Sequence, residues 1–236
     1  MKKFLALAAL VSVSAVPSFA DTLATWTFES SGLSGSTTLA PGAGVATTNF
    51  LAESGLQAGT ASAFGFHTAA ATYSSPSGNG STKSLSANTW TTGDYWQFQL
   101  STAGESGLTL SYDQTGSGTG PRDFALSYSI NGGSSFTAIG STYSVVLSTW
   151  SAGTPMTGFT QTYDLGAFSD INNASSVLFR ITDMDTTSIN GGTVGTTGTD
   201  RIDNFSVFTT PIPEPSTMAF GILGVMAAFV AWKRKE

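Results

Sequence analysis

Six stretches of this chain set apolar residues at alternate positions: Ala24, Trp26 and Phe28; Trp96, Phe98 and Leu100; Leu108, Leu110 and Tyr112; Phe124, Leu126, Tyr128 and Ile130; Val177, Phe179 and Ile181; Phe205 and Val207. Successive side chains of an extended strand point to opposite sides, so this period buries one face and leaves the other open. An amphipathic helix would repeat at three and four residues instead. Ser, Thr and Gly fill the intervals, a bias that suits strands and turns. No helical period is visible away from the two ends of the chain, and an all-β fold of two packed antiparallel sheets is the expected body.

Turn chemistry supports this reading. Asn131-Gly132-Gly133-Ser134-Ser135 separates the strand ending at Ile130 from Phe136 and Ile139, and Asn and Gly accept positive φ, so a hairpin turn is expected there. Gly116 to Gly120 and Gly191 to Gly198 read as long exposed loops. Residues 32–83 carry the faintest pattern, with strands expected only near 43–50 and 61–67.

The two ends read differently from the body. Lys2 and Lys3 precede an apolar run from Phe4 to Val16, and Pro17-Ser18-Phe19-Ala20 follows with small residues at the positions a signal peptidase reads. Residues 1–20 are therefore expected to be a signal-peptide helix removed on export. Residues 217–232 contain no charge and run directly into Lys233-Arg234-Lys235. At about 1.5 Å per residue that helix reaches roughly 24 Å, a thin span of a hydrocarbon core about 30 Å thick. The basic cluster marks 233–236 as a cytoplasmic tail and puts the rest outside. Residues 211–216, with three prolines, cannot continue a helix or pair in a sheet and form an extended spacer. Residues 21–210 are left as one extracytoplasmic domain, large enough for a sizeable core.

Pro213-Glu214-Pro215-Ser216, then an apolar helix, then a basic terminus resembles the PEP-CTERM sorting signal over Pro211 to Glu236. The resemblance implies recognition by an exosortase, a membrane-embedded cysteine transpeptidase that cuts near the tripeptide. It implies a single-pass inner-membrane precursor in a Gram-negative bacterium, a mature form at the cell surface or outside, and an association with exopolysaccharide production. The body in turn is similar to bacterial surface proteins with a concanavalin-like or LamG-like jelly roll. Residues 24–29, the run Arg122 to Ser129 with Gly132, Gly133 and Phe136, and residues 201–207 carry that likeness. It implies an antiparallel jelly-roll-like β-sandwich whose first and last strands lie side by side, with Trp26 near Phe205.

Between 21 and 210 four basic residues face thirteen acidic ones, a net charge of −9. Nucleic acid is then not a partner, because phosphates are neutralised by clustered Lys and Arg. Cysteine is absent, so stability rests on buried apolar area without disulfides. The single histidine, His67, cannot build a zinc site of His and Cys ligands, and its apolar surroundings read as a strand end. Glycoside hydrolysis needs two carboxyl groups about 5 to 10 Å apart. Glu29, Glu53 and Glu105 stand isolated, which favours a non-enzymatic protein over a carbohydrate-active enzyme.

Two candidate sites remain. Asp183, Asp185, Asp200 and Asp203 are oxygen donors of the kind that hold Ca²⁺, or turn-capping and arginine-pairing groups. Trp90, Tyr143, Trp150 and Tyr163 fall outside the alternating faces and are candidates for stacking on sugar rings. The expected activity is binding of extracellular polysaccharide by an exported surface or matrix protein. A carbohydrate-active enzyme and a permanently membrane-anchored surface protein are the alternatives.

Overall fold

The computed structural model describes residues 20–30, 33–42 and 50–209. The expected signal peptide, the Pro213-Glu214-Pro215-Ser216 motif, the membrane helix and Lys233, Arg234 and Lys235 lie outside these residues. No helix among the described residues is long and apolar enough to cross a membrane.

Thirteen strands follow in chain order: β1 (Thr22–Trp26), β2 (Thr37–Leu39), β3 (Phe50–Leu51), β4 (Ser62–Phe66), β5 (Ala71–Ser74), β6 (Leu85–Ala87), β7 (Tyr95–Leu100), β8 (Leu108–Gly116), β9 (Asp123–Ser129), β10 (Thr137–Ser144), β11 (Thr160–Asp164), β12 (Val177–Asp183) and β13 (Asp200–Thr209). One turn of 3₁₀ helix, Ser169–Ile171, precedes β12. A seven-stranded sheet runs β11-β8-β13-β6-β5-β2, with β1 also paired to β13, and a six-stranded sheet runs β10-β9-β12-β7-β4-β3. Every pairing of these strands is antiparallel. The fold is an all-β sandwich of two sheets, as the alternation predicts.

The core lies where the alternating faces meet. Phe205 of β13 stacks on Phe98 of the opposite sheet with ring centroids 3.5 Å apart, and Trp26 closes on both at 5.6 and 5.1 Å. Trp26 stands opposite Phe205 in the β1–β13 register, so the first and last strands are neighbours. The ends of the domain are tied as well, since the Thr209 amide donates to the Asp21 carbonyl at 2.8 Å and the Asp21 amide to Thr209 Oγ1 at 2.8 Å.

Between β9 and β10, Gly132 and Gly133 take positive φ of 71° and 87° in the expected hairpin turn. The turn begins one residue earlier than the apolar period suggests. Ser129 Oγ accepts from the amides of Asn131 and Gly133, which draws Ile130 out of the strand and leaves it 46% exposed. Phe28 also leaves its strand, at φ 58°, yet is fully buried against Phe50.

The two outer faces differ. That of the seven-stranded sheet is covered over Asp113 and Asp203, cross-strand partners on β8 and β13. Asn79 pins the cover: its amide donates to Asp203 Oδ2, its Nδ2 to Asp113 Oδ2 and the Met156 carbonyl, and its Oδ1 accepts from the Met156 amide. Asn79→Ala removes one of the three donors to Asp113 and leaves the Met156 amide and carbonyl without their partner, at about 1–3 kcal/mol. A lower melting temperature together with new proteolytic cutting between Ser148 and Gly158 is the expected result, and an uncut loop would show that Asn79 does not hold it. Among the described residues, the outer face of the six-stranded sheet carries no such cover over β4, β7 and β12.

Candidate functional site

On β4 the inward positions are Ala63 and Gly65, and a Cβ on Gly65 would stand 2.6 Å from the Trp96 ring and 2.7 Å from that of Tyr73. Two core rings thus occupy the space beneath this strand, and its larger residues, Phe64 and Phe66, turn outward. On β7 Trp96 and Phe98 point in, which places Tyr95, Gln97 and Gln99 outside. Arg180 is the outward residue opposite Gln97 on β12.

These side chains form one array. Phe66 stacks on Tyr95 with centroids 5.0 Å apart and planes at 11°, and Phe64 meets Tyr95 edge-on at 6.3 Å. β7 lies between β4 and β12, so Phe66 reaches Tyr95 from one side and Arg180 from the other. The Arg180 guanidinium carbon stands 3.7 Å from the Tyr95 ring centre and 3.9 Å from that of Phe136, which the β9–β10 hairpin folds over it. Cation–π contacts of this kind contribute about 0.5–2 kcal/mol each. Arg180 Nε and Nη2 both donate to Gln97 Oε1, at 3.1 and 2.8 Å. Burial pulls the guanidinium pKa below its ordinary value, offset in part by the Tyr95 phenol. Beyond Gln97, a cleft of about 390 Å³ lined by Ser62, Gln99, Ser101, Ser176, Gln57 and Thr60 continues the same face. Rings, amides and hydroxyls therefore alternate along an open sheet surface.

The aromatic residues expected to bind sugars sit elsewhere. Trp90 is buried, its indole donating to the Ala87 carbonyl at 2.9 Å and packing on His67, Trp96 and Phe124. Trp150, within the loop over the seven-stranded sheet, is 3% exposed and packs edge-on against Phe159. Tyr143 donates to Gln114 Oε1 and accepts from the Tyr112 hydroxyl at 2.7 Å, and Tyr163 stacks on Tyr112, so both belong to the rim of the core. These four present no shared platform: long-range packing covers rings that local spacing leaves unassigned.

Nor do the four expected calcium ligands converge. Asp200 points into the sandwich, where Oδ1 accepts from Trp96 Nε1 at 2.7 Å and Oδ2 from Gln114 Nε2 at 3.0 Å. Asp203 lies on the opposite face of β13, where Oδ2 accepts from the Asn79 amide and Ser81 Oγ and Oδ1 from the Asn204 amide. Asp183 is 1% exposed and neither carboxylate oxygen has a hydrogen-bond partner, while Asp185 Oδ1 caps the Thr187 amide at 2.6 Å. Among the described residues no group of three or more His, Cys, Asp or Glu side chains is placed to hold a metal ion.

Burial raises the carboxyl pKa of Asp183, Asp200 and Asp203 to about 7 in each case. Asp94 goes the other way: burial pushes it up, but hydrogen bonds from His67 and the Thr68 and Thr91 amides outweigh that and hold it below its ordinary value. His67 Nδ1 lies 3.2 Å from both Asp94 Oδ2 and the Thr89 carbonyl, and Nε2 is enclosed by aromatic rings without a partner. It directly follows the end of β4, where the sequence puts a strand end, and is packed in the interior.

No protein-family model matches the sequence, and no curated protein matches it. Several solved structures are similar in outline. The CBM22-1 and GH10 modules of endo-1,4-β-D-xylanase 10B from Clostridium thermocellum, in complex with xylohexaose, align at a TM-score of 0.44 and 16% identity over 80% of this chain. The alignment spans only 28% of that chain. The CBM22-2 xylan-binding domain of Xyn10C from Paenibacillus barcinonensis aligns at a TM-score of 0.42 and 12% identity over 79% of this chain and 98% of that one. The K1 cleaved adhesin domain of Lys-gingipain from Porphyromonas gingivalis W83 aligns at 0.39 and 12% identity, over 80% and 98% of the two chains.

Proposed function

We propose that this protein is an exported, non-enzymatic surface or matrix protein that binds extracellular polysaccharide on the outer face of its six-stranded sheet. The observation that carries the reading is the array of Phe64, Phe66, Tyr95 and Phe136 around Arg180, which no other loop of the described residues covers, continued by Gln97, Gln99 and the hydroxyl-lined cleft. Sugars present apolar C–H patches and rims of hydroxyls, and a surface that alternates rings with amides and hydroxyls complements both.

The carboxylates give hydrolysis little support. Asp113 and Asp203 are covered by the Asn79-pinned loop, while Glu29 accepts from Thr82 and the Lys83 amide, and Glu53 from Thr27 and Ser30. A general acid and a base must both reach the glycosidic oxygen and its carbon.

The route outward is read from the ends of the chain. Signal peptidase removes residues 1–20, and an exosortase acts at Pro213-Glu214-Pro215-Ser216 while residues 217–232 and Lys233-Arg234-Lys235 hold the precursor in the inner membrane. Mass spectrometry of the mature protein checks this, with Asp21 expected at the start and the tail missing. An intact basic end in membrane fractions would favour a permanently anchored protein.

For the binding itself, the full-length protein is expected to be retained by at least one polysaccharide in affinity electrophoresis, without release of reducing ends. Tyr95→Ala, which removes the ring shared by Phe66 and Arg180, is expected to weaken retention about 10-fold or more. Turnover of a glycan, or unaltered retention by the variant, would sink the proposal.

A further inference from the structure

Two aromatic rings and one amide hold the Arg180 guanidinium. The ring centres of Tyr95 and Phe136 stand 3.7 and 3.9 Å from its carbon, and Gln97 Oε1 takes the Nε and one Nη2 hydrogen. Both Nη1 hydrogens and the second Nη2 hydrogen have no partner among the described residues. They form the outer fork, two parallel donors spaced to meet the two oxygens of one carboxylate.

The two acidic residues of the surrounding strands, Asp123 and Asp183, stand at strand ends and neither answers that fork, Asp183 being buried. Residues 62–66, 95–99, 125–129 and 178–182 contain no Asp or Glu, although the body as a whole carries −9. Asp123, at the corner of the face, is already held by Arg122 at 2.7 Å and by Ser144. Arg201, by contrast, lies beside Asp200 and Asp203 and donates to the Ser77 carbonyl. A half-buried cation that the protein holds with two rings and an amide and leaves without a counter-charge is suited to an anion that arrives with the ligand. The repulsion of the distant carboxylates is screened over about 8 Å at physiological salt and does not reach this contact.

We propose that the ligand of this face is an acidic polysaccharide, and that Arg180 takes the carboxylate of a uronic-acid residue bidentately through Nη1 and Nη2. This rests on the polysaccharide-binding reading above and names the class of sugar. Gln97 is the positioning residue, since it fixes the guanidinium rotation that turns the free fork outward.

The test is titration calorimetry of the full-length protein with galacturonate, mannuronate and glucuronate oligosaccharides, each beside its methyl ester, and with neutral β-glucans. The ester keeps the sugar and removes the charge, so the wild-type comparison needs no variant. At least one acid is expected to bind about 10- to 100-fold more tightly than its ester, the span of a charge-assisted bidentate pair. Arg180→Gln is expected to bring the acid down to the level of the ester and leave the ester unchanged. Arg180→Lys, which keeps the charge without the fork, should restore only part of the difference. Equal binding of acids and esters overturns the acidic reading while polysaccharide binding stands. Failure to bind any member of the panel overturns the polysaccharide reading, and this inference with it.

Discussion

Phe205→Ala is expected to be the most damaging single truncation in the domain, lowering stability by about 3–5 kcal/mol, the range for a large aromatic residue that leaves a cavity its neighbours cannot fill. The ring is fully buried and joins the two sheets. Trp26 and Tyr112 of its own sheet approach at 5.6 and 5.9 Å, and Phe98 and Phe179 of the other at 3.5 and 6.5 Å. Truncation opens a void at the centre of four rings fixed on four strands, and strands cannot collapse inward without breaking their ladders. At about 2–4 °C per kcal/mol for a domain of this size, the melting temperature should fall by roughly 6–20 °C. Ile130→Ala is the matched control, since the alternation places Ile130 in the core and the structure places it in the turn, 46% exposed. It is expected to change stability by less than about 0.5 kcal/mol. Urea titration of both variants checks the pair, and comparable losses would mean that the β9–β10 turn is placed wrongly.

That pair also marks how far the fold is legible from the chain. Strands buried on one face and flanked by others announce themselves: β7, β8, β9, β12 and β13 each carry two or more large apolar residues in alternation. Edge and near-edge strands do not. β2, β3 and β11 are TTL, FL and TQTYD, whose exposed flanks need no apolar period. β4 hides its role, because Ala63 and Gly65 are small in order to make room for Trp96 and Tyr73. The site is half visible for the same reason. Alternation says that Tyr95 and Gln97 share a face opposite Trp96 and Phe98, but Arg180 and Phe136 join them only through pairings 83 residues apart and a hairpin fold. Trp90 shows the converse: nothing near it in sequence predicts burial, which comes from His67 before it and Trp96 and Phe124 after it, brought together by the sandwich.

The domain is expected to be more stable at pH 5 than at pH 8, against the usual trend for an acidic protein built on paired carboxylates. Asp183, Asp200 and Asp203 are each raised to about 7, in every case first by burial. The charges of Asp94, Asp185 and Asp123 push Asp183 further up, and that of Asp183 does the same to Asp200. Unfolded aspartate ionises near 3.9, so between about pH 4 and 7 the native state holds protons that the unfolded chain has released. Stability must then fall as pH rises through that window and level off above about 7. Asp94, Asp123 and Glu29 are held below their ordinary values, and their contribution is present above about pH 4 and lost only under more acidic conditions. The two sets together put the maximum near pH 4–5. Each tenfold change in an ionisation constant corresponds to about 1.4 kcal/mol, so fully buried Asp200 alone accounts for a loss on the order of 4 kcal/mol across the window. The three sites interact, so their losses do not simply add. A drop of about 10 °C or more in melting temperature from pH 5 to pH 8 is the expected result by circular dichroism. Asp183→Asn, which keeps the shape and removes the charge at the one buried carboxyl without a hydrogen-bond partner, should flatten the slope and raise stability at pH 8. A melting temperature that is unchanged or higher at pH 8 would mean that these carboxyls reach water or a counter-ion, and that the interior between Trp96, Trp90 and β13 is not closed.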